Sequence, residues 1–173
     1  MTYPGGKGGS GVTQWIINQM PPHSVYVEAF AGGAAVLRAK RPARSSIAID
    51  IDPHVVANLS GDTLSGATVI CGDAITWLGG AMLPVDALVY CDPPYLRSTR
   101  KSARDLYAFE MTTDQHAALL DVLLGLRCMA MVSGYWSEMY ADALRGWRWS
   151  TFATTTRGGG AAVGRAPFLQ DGP

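Results

Sequence analysis

Asp92-Pro93-Pro94-Tyr95 closes the apolar run Val89-Tyr90-Cys91 and sets an acid, two prolines and an aromatic in four consecutive positions. Consecutive prolines remove two backbone donors and fix two φ angles. The carbonyls of Asp92 and Pro93 are therefore rigid acceptors without a competing local N–H. A carboxylate beside such a carbonyl suits an NH₂ group, which brings two donors, and Tyr95 can stack on the planar ring that carries it. The plainer alternative is a surface turn, which the position at the end of a strand-like apolar run disfavours.

A second constellation lies upstream. Val27-Glu28-Ala29-Phe30-Ala31-Gly32-Gly33-Ala34-Ala35 places a glycine pair between an apolar strand and a helical pattern, where missing side chains let a ligand approach the backbone. Many such junctions are only tight turns. The next apolar run, Ile47-Ala48-Ile49, ends in Asp50, a carboxylate about 20 residues on, the placement used to grip ribose hydroxyls. Because Asp52-Pro53 follows, one of the two acids can instead cap the helix from Pro53; Asp52 is assigned to the cap and Asp50, with Ile51 beside it, to the ligand. Asp73, followed by Ala74, ends another strand and suits an adenine amino group or the cap of a helix over Ala74 to Leu78, roles that are compatible.

The elements that must position these residues alternate, which is the pattern of a parallel sheet covered by helices. Strands are expected at Ser24 to Ala29, Ser46 to Asp50, Thr68 to Cys71, Ala87 to Cys91 and Cys128 to Val132, with an edge hairpin at Trp147 to Thr154. Helices are expected at Gly33 to Lys40, Pro53 to Leu59, Thr113 to Leu126 and Trp136 to Leu144. Ser10 to Met20 is amphipathic, with Val12, Trp15, Ile16 and Met20 on one face, and should pack on the sheet from outside the repeat. The glycine-rich Arg157 to Ala162 reads as a mobile loop, and Pro167 to Pro173 as a frayed tail or a shortened final strand.

Composition sets the outer bounds. With 173 residues, 48% hydrophobic and 16% charged, the chain has material for one core, so 1–173 is expected to be a single domain. It has no apolar run of membrane-spanning length and no signal-like start, and reads as soluble and cytoplasmic. Cys71, Cys91 and Cys128 lack metal or dithiol spacing and are expected to be buried and reduced; His23, His54 and His116 are scattered, so no metal is expected. The net charge of zero lacks the usual footprint of a nucleic-acid binder. Locally, however, Arg97, Arg100, Lys101 and Arg104 follow the Asp92 tetrad directly, a placement that favours contact with a polyanion over an ordinary solvated face.

Taken in order, these segments resemble the Dam-type DNA adenine N6-methyltransferase family over roughly Tyr3 to Trp147. Tyr3-x-Gly5-Gly6-Lys7 looks like its N-terminal cofactor motif, Glu28-x-Phe30-x-Gly32-Gly33 its glycine motif, Asp92 to Tyr95 its catalytic tetrad, and Val132-Ser133-Gly134-Tyr135 the later motif lining the target pocket. The resemblance implies a Rossmann-like class I methyltransferase fold with about seven strands and helices on both faces. S-adenosylmethionine is the implied methyl donor, held by Tyr3, Lys7, Glu28, Phe30, Gly32, Gly33, Asp50, Ile51, Asp73, Ala74 and Asp92. It further implies methyl transfer to the exocyclic nitrogen of a flipped-out adenine in double-stranded DNA in a bacterial or phage-infected cell. Asp92, Pro93, Pro94 and Tyr95 would be catalytic, with Arg97, Arg100, Lys101, Arg104, Ser133 and Tyr135 on the DNA. Because Gly8 follows Lys7, the phosphate-binding P-loop pattern is not met.

Two departures from that pattern matter. Ala74 to Pro84 has no room for the target-recognition domain that many Dam-type enzymes insert there. This is a compact form, expected to have low sequence specificity or a specificity partner, and to act as a monomer or weak dimer. Arg165 to Gln170 lacks the acidic-aromatic ending usual in the family's last strand. Methyl transfer to RNA adenine, cytosine or glutamine is the nearest rival; relatives acting on cytosine usually carry Ser at the tetrad's first position, and those acting on glutamine Asn. A non-catalytic DNA-binding subunit of the same fold is the alternative from another class.

Overall fold

The computed structural model describes residues 11–61, 64, 66–96, 109–155 and 161–170. Five parallel strands form the body of one sheet: β1 (Val25–Ala29), β2 (Ser45–Asp50), β3 (Thr68–Cys71), β4 (Ala87–Cys91) and β5 (Met129–Tyr135). Their order, β3-β2-β1-β4-β5, reverses direction between β1 and β4. In open α/β sheets that switch point leaves a crevice at the carboxyl ends of the strands. Phe30 and Asp92, which follow β1 and β4 directly, therefore flank it.

The strands are buried because both faces are covered. Val27, Ala29, Val89, Cys91, Ala130 and Val132 point to one face, against Leu78 of α4 (Ala74–Gly80), Leu119, Leu120 and Leu123 of α5 (Thr113–Gly125), and Tyr140 of α6 (Glu138–Ala143). Alternate residues Tyr26, Leu88, Tyr90 and Met131 point to the other face, against Val12 and Ile16 of α1 (Val12–Asn18) and Val36 of α2 (Ala35–Ala39). On the same side α3 (Pro53–Gly61) seats Val55 and Leu59 on Ala48. Alternation along a strand with burial on both sides is what a parallel sheet requires. The amphipathic first helix thus packs as expected.

The far edge differs from expectation. Arg148–Trp149 (β6) and Phe152–Thr155 (β7) do not pair with each other as a hairpin; both lie antiparallel along Ala161–Gln170 (β8), Trp149 opposite Phe168 and Phe152 opposite Arg165. They are successive pieces of one interrupted edge. The other side of β8 pairs antiparallel with β5, Ser133 opposite Pro167. The residues read as a tail or shortened strand, Pro167 to Gln170, thus end a ten-residue strand, and Ala161 and Ala162 of the supposed loop begin it. Arg157 to Gly160 lie outside the described residues. In place of about seven strands, the described residues form five parallel strands and three antiparallel segments.

Cys91 and Cys128 are buried as expected, whereas Cys71 is exposed. It ends the sheet's edge strand β3, which has a neighbour on one side only.

Candidate active site

The glycine loop after β1 is shaped by an unusual backbone. Phe30, Gly32 and Ala34 take positive φ angles of 59°, 51° and 50°. For phenylalanine and alanine such conformations cost about 1–3 kcal/mol each and persist only where the surroundings hold them. Here they are held by hydrogen bonds from Ala31 N–H to the Ile49 carbonyl at 2.9 Å, Ala34 N–H to the Ala31 carbonyl at 2.7 Å, and Gly32 N–H to Asp50 Oδ2 at 2.8 Å.

Asp50 receives that bond and a second, from Asp52 N–H to Oδ1 at 2.9 Å. Each oxygen keeps a further acceptor site. Burial raises its pKa, opposed by hydrogen bonds from the backbone N–H groups of Asp52, Gly32 and Ile51. Asp52 caps α3 as expected, accepting from His54 N–H at 2.8 Å, and Asp50 borders the crevice. Asp73 caps α4, accepting from Thr76 N–H at 3.1 Å and Thr76 Oγ1 at 2.6 Å, while its exposed carboxylate also borders the crevice.

These groups line one open cleft, walled by Phe30, Gly32, Asp50, Ile51, Asp73, Ala74, Asp92 and Pro94. Ile75, Phe109, Glu110, Met111 and Gln115 complete it. Phe109, Glu110 and Met111 come from the segment entering α5 and Gln115 from its first turn; none was expected on the cofactor side, and Phe109, in the stretch after the tetrad, is read from sequence as an aromatic beside the basic run. Gln115 was detectable as a capping partner: with Thr112 it forms a reciprocal box at the start of α5, Gln115 N–H to Thr112 Oγ1 at 3.2 Å and Thr112 N–H to Gln115 Oε1 at 2.8 Å.

Two residues expected in the cleft lie elsewhere. Glu28 is only 3% exposed and points to the α1–α2 face, where Oε2 accepts from Tyr26 Oη at 3.0 Å and Leu37 N–H at 2.7 Å. Strand alternation turns it there: its neighbours Val27 and Ala29 take the other face. Burial pushes its pKa up to about 7, opposed by those hydrogen bonds and reinforced by the Asp92 carboxylate. Gly33 is exposed at the loop's rim, outside the cleft lining, with its carbonyl accepting from Arg38 Nε at 2.9 Å.

A second, narrow and partly open pocket lies on the other side of the tetrad and is lined by Pro93, Pro94, Tyr95, Leu96, Val132, Ser133, Gly134, Tyr135, His116 and Tyr140. Pro94 borders both cavities. The tetrad is thus a partition, with Asp92 on the cleft side and Tyr95 on the pocket side. Tyr95 is buried, its ring 4.7 Å from that of Tyr135 in an edge contact at 67°.

Ser133, expected beside the target, lines this pocket and is 2% exposed; it donates from Oγ to Asp92 Oδ1 at 2.8 Å, while Tyr90 Oη lies 2.9 Å from the same Oγ. The chain Tyr90–Ser133–Asp92 fixes the carboxylate from behind. Ser133 is buried because β5 is an interior strand of the sheet. Burial and the Asp92 charge raise the Tyr90 pKa well above the usual phenol range, keeping it a neutral hydroxyl. Tyr3, Lys7, Arg97, Arg100, Lys101 and Arg104 lie outside the described residues. The residues on either side of the basic run are placed: Leu96 lines the pocket and Phe109 the cleft.

A parallel sheet with a glycine loop after its first strand, acids at or just past the ends of the next ones and a switch in strand order is a Rossmann-like fold, and solved structures, most of them named as methyltransferases, superimpose on it. A dimethyladenosine transferase from Plasmodium falciparum matches with a TM-score of 0.59 at 14% identity, covering 93% of this chain and 61% of that one. The chain thus spans about three fifths of that protein's length. An rRNA methylase from Streptococcus thermophilus matches at 0.56 and 13% identity, with 93% and 94% covered. A precorrin 8w decarboxylase from Methanobacterium thermoautotrophicum matches at 0.60 and 15%, with 95% and 90% covered. Similarity at this identity establishes the fold; names as different as these show that the fold leaves the substrate open. No protein-family profile matches the sequence, and no curated protein matches it.

Proposed function

We propose that this chain is an S-adenosylmethionine-dependent methyltransferase acting on the exocyclic amino group of adenine in a nucleic acid. The observation that carries the reading is the partition: the Asp92 tetrad separates a carboxylate-lined cleft from an aromatic pocket, with Asp92 anchored by Ser133. The cleft fits the cofactor by its donor set. Asp50 offers acceptors to ribose hydroxyls, exposed Ile51 an apolar face to the adenine, Asp73 an acceptor to its amino group, and Phe30 with Gly32 the wall leading to Asp92. When bound, S-adenosylmethionine supplies a methyl carbon made electrophilic by a positively charged sulfur.

The chain's own residues address the other reactant. An adenine amino nitrogen is a weak nucleophile because its lone pair is delocalised into the ring. Asp92 and the Pro93 carbonyl accept its two N–H bonds, which favours a pyramidal nitrogen with an available lone pair. Tyr95 and Tyr135 supply ring surface to a base taken out of its stack. Ser133 holds Asp92 in place, so the rate derives from positioning.

Resemblance to the Dam-type tetrad supports DNA, with the Arg97 to Arg104 run as backbone contact. The rRNA methylase among the structural neighbours supports RNA as a second reading, since the same pocket geometry serves either polymer. A monomer or weak dimer, cytoplasmic, with a partner supplying sequence specificity, completes the proposal; among the described residues no helix is long and apolar enough to cross a membrane. The deciding experiment is incubation with methyl-labelled S-adenosylmethionine and DNA, RNA or protein in parallel. N6-methyladenine in one nucleic acid is expected; label confined to cytosine or protein, or no label anywhere, overturns the reading.

A further inference from the structure

The pocket beyond the tetrad contains a polar pair that the proposed mechanism does not use. His116 of α5 and Tyr140 of α6 line it, with His116 Nδ1 2.8 Å from Tyr140 Oη and the rings edge to face at 5.8 Å. Both are buried, at 1% and 8% exposure. Burying an imidazole and a phenol together costs free energy that leucines would not. Apolar contact between these helices and the sheet is already supplied by Leu119, Leu120, Leu123 and Leu144. The rest of the pocket wall is mainly proline, aliphatic and aromatic carbon; its other side-chain hydroxyls are those of Tyr95, Tyr135 and Ser133, the last of which serves Asp92. A mainly apolar pocket with a few placed polar groups is the usual design of a site that orients its ligand.

We infer that the His116–Tyr140 pair selects the base, with the Tyr140 hydroxyl donating to a ring nitrogen of the adenine whose amino group Asp92 and Pro93 hold. When His116 carries its proton on Nδ1 and donates it to Oη, the phenol hydrogen is available for the pocket. Burial raises the Tyr140 pKa, so the hydroxyl keeps that hydrogen. Adenine presents bare acceptors at N1 and N7 on either side of its amino group. Guanine has an oxygen in place of the amino group and so offers Asp92 no N–H, and where N1 is the contacted nitrogen its N1 hydrogen meets the phenol donor head-on.

This inference rests on the adenine reading above, and the test separates the two. Methyl transfer is measured on DNA, or on RNA if that is the polymer accepted, in which adenine is replaced throughout by 7-deazaadenine or 1-deazaadenine. Wild type, Tyr140→Phe and His116→Gln are compared. The wild type should lose roughly ten- to a hundredfold in kcat/KM on the analogue lacking the contacted nitrogen. Tyr140→Phe should lose a similar factor on adenine itself and show little further loss on that analogue, because the partner is already gone; His116→Gln should weaken the discrimination in part. A variant with less folded protein lowers both substrates equally, so the analogue-to-adenine ratio within each variant remains the readout. Full wild-type discrimination in both variants, or no penalty on either analogue in the wild type, overturns the inference alone. Absence of transfer by the wild type to any adenine overturns the functional reading and the inference with it.

Discussion

The cleft on the Asp50 side of Pro94 is shaped mainly by backbone: three positive φ angles, acids at the ends of β2 and β4 with Asp73 just past β3, and N–H groups aimed at those acids. The pocket on the Tyr135 side is shaped by side chains that reach in from β5, α5 and α6, separated in sequence by more than the length of any motif. A backbone-built site serves a ligand whose polar groups are invariant, and a side-chain-built one can be altered residue by residue to change its guest. On the proposed reading, the difference puts the shared chemistry on one side of the partition and the choice of substrate on the other.

The largest effect should come at the partition itself. Asp92→Ala removes the acceptor for the target's N–H and is expected to cut kcat by at least about a hundredfold, the scale of losing one preorganised electrostatic group, while calorimetric titration still detects cofactor binding. A variant that transfers methyl groups at the wild-type rate would remove the tetrad from the mechanism.

Next is a test of how β1, the strand that leads into the glycine loop, tolerates a buried charge on its other face. The Glu28 pKa, raised by burial from 4.5 to about 7, means the folded protein prefers the protonated acid. Stability is therefore fully present below about pH 4.5 and is lost as pH rises through 7, by about 3 kcal/mol for a shift of this size. Lys40, near enough to Glu28 to favour the ionised form, offsets part of this. Glu28→Gln keeps an oxygen for Tyr26 Oη and Leu37 N–H and should flatten the dependence. Urea unfolding at pH 5 and pH 8.5 checks it: a wild type as stable at the higher pH as the mutant would show that the carboxylate is compensated.

The same contrast explains what the sequence made legible. Strands β3 and β4 are legible residue for residue, and so are the helix caps of Asp52 and Asp73, because an apolar run ending in an acid is a local signal; the Gly32 and Asp52 N–H groups on Asp50 are not. Glu28 was misplaced since a motif does not state which face its middle residue takes. β8 was hidden by Pro167, which has no donor for a ladder, and by the glycines before Ala161; its pairing with β5 is the long-range fact that local pattern omits. His116 and Tyr140 carried no motif, being 24 residues apart, and only the packing of α5 and α6 on one face of the sheet brings them together.

On the cofactor side, Asp50→Ala should weaken S-adenosylmethionine binding roughly ten- to a hundredfold, through lost ribose acceptors and a Gly32 N–H left without its carboxylate. The effect should lie in cofactor Kd and KM, with kcat at saturation changing far less. An equal fall in kcat would mean that the glycine loop and the partition move as one unit.

The smallest effect should distinguish positioning from contact on the target side. Ser133→Ala removes the hydroxyl that links Tyr90 to Asp92, without touching either cavity's ring surfaces. The carboxylate loses one charge-assisted hydrogen bond, so about a tenfold fall in kcat is expected with the KM for nucleic acid nearly unchanged, and Ser133→Thr, which keeps a hydroxyl, should restore most of it. A rise in KM with kcat preserved would instead put Ser133 on the polymer. Asp92 would then be held by the tetrad's own rigid backbone, and the side-chain-built character of this half would begin one residue later, at the pocket wall.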